Sequence, residues 1–154
     1  MRAFVAVIMV AVASFDRSPA AEPPSRPYDL ADVAKFVEGE YVLIGRRPGS
    51  DATYTGRLVL RDKVEGLDFT RTIGGDRQTG RVVFDTKADE SGKPVLKIRF
   101  SMDGQKYEAT YLWHTDLSNF ARLTGYVYLA DGKTKFPGLE ALFPLADYNR
   151  NIND

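Results

Sequence analysis

The sequence predicts an all-β protein: an antiparallel up-and-down meander of about eight strands forming a closed or nearly closed barrel, with a short N-terminal helix and a short C-terminal helical turn. Three observations predict it. Apolar and polar residues alternate with period two in runs of five to nine residues. Clusters of glycine, aspartate, serine and proline separate those runs, as hairpin turns require. No helical pattern is long enough to cross between parallel neighbours, so the strands must pair antiparallel.

The elements follow in order. Asp29 to Glu38 reads as a helix, with Asp29 as N-cap and Leu30, Val33, Ala34 and Val37 on one apolar stripe. Tyr41 to Arg46 is the first strand, ended by the turn Pro48-Gly49-Ser50-Asp51. Thr53 to Arg61 comes second, with Tyr54, Leu58 and Leu60 opposite Thr55, Arg57 and Arg61. Leu67 to Ile73 ends at Gly74-Gly75, and Gln78 to Asp85 runs into a polar loop from Lys87 to Pro94. Leu96, Ile98 and Phe100 alternate with Lys97, Arg99 and Ser101. Asp103-Gly104 then predicts a two-residue primed turn, which needs positive φ at both positions, and Tyr107, Ala109, Tyr111 and Trp113 mark the returning strand. A long strand runs from Phe120 to Ala130, Asp131-Gly132 turns it into a short strand at Lys133 to Phe136, and Leu139, Leu142 and Phe143 suggest a helical turn between Pro137 and Pro144.

A short motif recurs along this meander: Thr55-Gly56-Arg57-Leu58, Thr79-Gly80-Arg81-Val82 and, more loosely, Thr124-Gly125-Tyr126-Val127. Glycine inside a strand marks a bend, a bulge or a close backbone approach, and bent strands are what barrel closure needs. Recurrence of Thr-Gly by chance is the competing explanation.

Met1 and Arg2 followed by an apolar run from Ala3 to Ala13 resemble the charged and hydrophobic regions of an export signal. The run is too short to cross a bilayer. The expected organisation is a cleaved signal peptide at 1–21, an extended leader at 22–28 and a single barrel domain at 29–150, acting outside the cytoplasm in a periplasm or a secreted fluid, with no integral membrane span after cleavage. The mature part would carry 19 basic and 20 acidic residues, which gives no general attraction to nucleic acid. With no cysteine, stability must come from packing alone.

The helix running into Gly39-Glu40-Tyr41, the meander and the export signal together resemble the lipocalins and the wider calycin group. Gly39-Glu40-Tyr41 is similar to that family's Gly-x-Trp entry to the first strand, with tyrosine in the tryptophan's place. The resemblance implies a cavity for a small apolar ligand.

One histidine, His114, and no cysteine exclude a His/Cys zinc site and a thiol nucleophile, and no Gly-x-Ser-x-Gly or phosphate loop is present. No catalytic residue, metal ligand or cofactor is assigned; the acidic loop Asp85 to Glu90 lacks EF-hand spacing. The candidate ligand-binding residues are Phe69, Arg71, Phe100, Tyr107, Tyr111 and Trp113, which alternation sends to the barrel interior. Arg71 is the odd member, a guanidinium on the face of Leu67 and Phe69 that needs a ligand carboxylate, an internal Asp or Glu, or access to water at the barrel mouth. Arg57, Arg61, Arg81, Lys97 and Arg99 fall outside, as a basic stripe or as one half of a mixed surface with Asp68, Asp85 and Glu108. The long strand is apolar on both faces, with Tyr126 and Tyr128 opposite Val127 and Leu129, so the N-terminal helix or the Leu139 to Phe143 turn should cover its outer side, or a protein partner should. The expected function is an exported, non-catalytic barrel holding a small apolar or amphipathic ligand. The alternative is a solid barrel acting through its surface, as an inhibitor or a partner of a cell-envelope protein, and a third reading is an enzyme using carboxylates or tyrosines.

Overall fold

The computed structural model describes residues 28–87, 92–115 and 120–145. The expected signal peptide, most of the leader, half of the Asp85 to Glu90 loop and the end of the domain lie outside the described residues. Helix α1 spans Leu30–Val37. Asp29 begins it, its side chain accepting a hydrogen bond from the Ala31 N–H at 2.9 Å, and Val33, Ala34 and Val37 are buried.

Nine strands follow among the described residues: β1 Gly39–Arg46, β2 Thr53–Lys63, β3 Gly66–Ile73, β4 Asp76–Arg81, β5 Val83–Asp85, β6 Val95–Met102, β7 Gln105–Thr115, β8 Ala121–Leu129 and β9 Gly138–Pro144. They form one antiparallel sheet in the order β4-β3-β2-β1-β9-β8-β7-β6-β5. Except at the break between β4 and β5, each strand pairs with its sequence neighbours, and β9 returns to pair with β1, so the meander rolls into a nearly closed barrel. Asp103 and Gly104 have φ of 50° and 75°, the primed turn that matches the strand twist between β6 and β7.

The seam lies between β4 and β6. Their closure rests on a side chain: the Gln78 amide donates to the Ser101 carbonyl and accepts from the Ser101 N–H at 2.7 Å. One residue thus satisfies both backbone groups that a neighbouring strand would have satisfied.

Two expectations are corrected. The segment Gln78 to Asp85 is not one strand; it breaks at Val82, whose N–H donates to the Leu67 carbonyl at 2.8 Å, so that β4 pairs with β3 and β5 pairs with β6. Leu139 to Phe143 is not a helical turn but part of β9, and Lys133 to Phe136 is irregular chain ending in a bend, not a strand. The period of β9 is two, with Gly138, Glu140, Leu142 and Pro144 buried, but the inward position of a carboxylate hides that alternation from a hydropathy reading.

The recurring glycines have a common geometry. Gly56, Gly80 and Gly125 all face inward, and each lies beneath the residue directly opposite on the next strand: Ile73, Phe69 and Tyr111. Gly45 is a fourth, beneath Tyr54. A Cβ on any of them would meet the covering side chain at under 3.0 Å. At Gly125 it would also strike the Thr110 backbone carbonyl, which cannot swing aside. The Gly125→Ala protein is expected to lose about 3 kcal/mol of stability, while Gly132→Ala, with open space around it and only a strained turn to resist, loses about 1 kcal/mol; urea unfolding midpoints compare the two.

Candidate functional site

The inside of the barrel is organised around Glu140. In register across four strand pairs lie Tyr54 on β2, Gly45 on β1, Glu140 on β9, Gly125 on β8 and Tyr111 on β7. The two tyrosines lie over the two glycines and reach the carboxylate from either side. Tyr54 donates its hydroxyl to Oε1 at 2.5 Å, and Tyr111 donates to Oε2. Arg71, on β3, donates from Nη2 to Oε1 at 2.5 Å, and the Arg71 and Glu140 side chains are 3% and 0% exposed. The Arg71 guanidinium also stacks 3.7 Å from the centre of the Phe100 ring, which in turn stacks on Tyr107 at 5.6 Å.

Physical chemistry accounts for each part. A carboxylate removed from water needs an opposite charge and further donors, because an isolated buried ion costs several kcal/mol. Glu140 receives one cation and two hydroxyls; the guanidinium plane uses an aromatic face for the side that makes no hydrogen bond. Burial, with the Glu140 charge second, holds the Tyr54 and Tyr111 hydroxyls well above the usual tyrosine range. Burial alone does the same to Tyr41, whose hydroxyl donates to the Val37 carbonyl at 2.7 Å and ties α1 to β1.

The six residues singled out from alternation divide. Phe69, Arg71, Phe100, Tyr107 and Tyr111 all face inward and are buried, and Arg71, Phe100, Tyr107 and Tyr111 form one connected group. Trp113 is half-buried near α1, packed on Phe36 at 5.4 Å, and donates its indole N–H to the Pro94 carbonyl at 2.8 Å. Of the partners expected for Arg71, the internal acid is the one present. Glu140 itself escaped the sequence reading, although the signal exists: one acid and one base, each breaking an otherwise apolar inward stripe, call for each other. The Glu140 side chain has no access to solvent, and the constellation clasps β9 to β2, β3 and β7.

Outside, the expected basic stripe is a set of ion pairs. Arg57 and Arg61 hold Glu40, Arg81 faces Glu65 and Asp68, Lys97 holds Asp85 and Arg99 holds Glu108. The Arg57 hydrogen bond lowers the Glu40 carboxyl below its usual range, and Lys97 does so for Asp85. Such exposed pairs contribute little stability each and leave a mixed, solvated surface.

A depression of about 830 Å³ lies on the outer face of β1, β9, β8, β7 and β6. Two cross-strand rows build it, Ile44-Ala141-Thr124-Leu112 and Arg46-Leu139-Tyr126-Thr110-Lys97. Short side chains in the middle, Ala141, Thr124 and Thr110, make a floor. Ile44, Leu112, Leu139, Tyr126 and Tyr128 stand around it as exposed walls. Helix α1 packs against β2 and β3 instead of covering this face, and β9 runs within the sheet, so neither expected cover is in place. Arg46 sits at one end, loosely paired with Asp51 at 3.6 Å, its Nε buried with no hydrogen-bond partner. Lys97 sits at the other end.

No protein-family model, curated protein or solved structure matches the chain.

Two measurements probe the interior. Glu140→Gln and Arg71→Met are each expected to cost about 3 to 5 kcal/mol, and the double variant to be less destabilised than either single one, as read from urea unfolding. Tyrosines 41, 54 and 111 have folded pKa values raised above the unfolded value near 10, so their contribution is complete below pH 10 and is lost as pH climbs beyond it. Tyrosinate absorbance should show these three ionising only together with alkaline unfolding.

Proposed function

We propose that this protein is a non-catalytic binding protein for a small amphipathic molecule with an anionic end, held in the groove on the outside of the barrel. The observation that carries this reading is the groove itself: apolar walls around a floor of small residues, with a cation at each end. Its volume lies within the range of roughly 300 to 1,000 Å³ common to small-molecule sites. Five large apolar side chains exposed together are more than scattered surface residues require.

Arg46 favours an anionic head. Its buried Nε–H lacks a partner and its outer edge faces Asp51 at only 3.6 Å, so a carboxylate or sulfonate would satisfy a donor that is otherwise unpaired. The interior supports the same placement from the other direction. Its aromatic residues already surround the Arg71–Glu140 pair, so a ligand there would have to displace them. The apolar N-terminal run, read as an export signal, would put this binding outside the cytoplasm.

The probe is 1-anilinonaphthalene-8-sulfonate, which carries an apolar body and an anionic head, with dodecanoate as competitor. The parent protein should enhance its fluorescence saturably and release it to dodecanoate. Ala141→Trp, which fills the floor, should weaken binding at least tenfold, and Arg46→Gln about fivefold, with unchanged melting temperatures. Equal binding by the parent and the Ala141→Trp protein would remove the groove from consideration.

A further inference from the structure

The outer groove has a direction and a length. It runs across the strands, because the row Arg46-Leu139-Tyr126-Thr110-Lys97 crosses β1, β9, β8, β7 and β6 in register. Four strand spacings separate its ends, about 19 Å at a spacing near 4.8 Å. The two end cations differ. Arg46 meets Asp51 at only 3.6 Å, and that carboxylate is fully exposed. Lys97 holds Asp85 at 2.7 Å, with both side chains only 29% exposed. Asp85 is fixed a second time, since its Oδ1 accepts a hydrogen bond from the Lys87 N–H at 2.9 Å. Beyond Lys97 the same outer row continues to Val83 on β5, which is 59% exposed. Apolar surface therefore resumes on the far side of the charge.

We infer that the Lys97–Asp85 ion pair is the end-stop of the groove and sets the length of its ligand, a single unbranched chain of about twelve to fourteen carbons with its anionic head at Arg46. This rests on the reading of the groove as a ligand site. The head belongs at Arg46 because that cation has donors to spare, with a buried Nε–H that makes no hydrogen bond, whereas the Lys97 charge is already paired at close range. The two rows that wall the groove lie two residues apart along the strands, about 7 Å, which leaves width for one chain. An extended chain advances about 1.25 Å per carbon, given C–C bonds near 1.5 Å and tetrahedral angles. The head and its hydrogen bond use about 3 Å of the length, and the rest holds about thirteen carbons. A longer tail meets the ion pair. It must either displace the pair, which strips water from a charge without replacing its partner, or turn outward into solvent, where the added carbons bury nothing.

The experiment measures displacement of 1-anilinonaphthalene-8-sulfonate by saturated carboxylates from octanoate to octadecanoate, each below its aggregation concentration, from the parent, Lys97→Met and Lys97→Gln proteins. Melting temperatures check that the variants fold. In the parent, each two-carbon addition should tighten binding about fivefold up to a chain of about twelve to fourteen carbons and bring nothing after that. Lys97→Met opens one more strand spacing, as far as Val83, so its optimum should move by about four carbons, and adding Val83→Ser should bring it back. Lys97→Gln loses the same pairing with Asp85 but keeps a polar end, so it should retain the parent's optimum; this separates the end-stop from a general effect of freeing Asp85. Tightening that continues evenly to octadecanoate in the parent, or the same optimum in the parent and Lys97→Met proteins, would overturn the end-stop while the saturable displacement itself keeps the groove as a site. Failure of every carboxylate to displace the probe would remove both.

Discussion

A carboxylate sealed inside a greasy barrel is stable only where the chain brings it enough donors, and Glu140 sets that demand for the whole structure. Its partners come from β2, β3 and β7, so the clasp ties strands from across the barrel to β9. Glycine on each side of it is a necessity of the same geometry, since Tyr54 and Tyr111 reach the acid only by lying flat over Gly45 and Gly125. A slip of β9 by one residue would send Glu140 to the surface and Leu139 inward. The desolvation cost of leaving Arg71 unpaired therefore specifies the register of the closing strand as well as the content of the core.

The same arrangement shapes both faces of the barrel. Positions that face inward are occupied by large rings and by the clasp, in which Glu140 is paired with Arg71, Tyr54 and Tyr111. On the outer face the closing strands place Ala141, Thr124 and Thr110 next to each other, and a hollow forms where side chains are short. The helix that might have covered it is held elsewhere, by the Tyr41 hydroxyl and by the packing of Phe36 on Trp113. At its seam the nearly closed barrel is bridged by the Gln78 amide, in place of a strand ladder.

Much of this fold was legible in the residues. Alternation placed six of the strands, Asp103-Gly104 announced its hairpin, Asp29 capped its helix, and the recurring Thr-Gly pairs pointed to a bend, a bulge or a close approach, of which the close approach is the one found. Arg71 was recognisable as a buried charge in need of an acid. The reading lost β9 because proline and leucine spacing around Leu139 to Phe143 imitates a helical turn, and because an inward glutamate looks solvent-facing when taken alone. The groove was foreshadowed only as a strand apolar on both faces whose outer side needed a cover; its floor and its flanking cations come from strands far apart in sequence.

What the residues determine by themselves is local: which face of each strand is apolar, which turns are tight, and which charge cannot be left unpaired. Those follow from side-chain periodicity, from the φ that a turn demands and from the cost of desolvation, none of which needs a neighbour to be named. The tertiary structure decided which acid answers Arg71, which glycine lies under which ring, and which outer rows adjoin. Those depend on strand order and register, properties of pairs of segments up to a hundred residues apart, and the closing of β9 onto β1 settles them together.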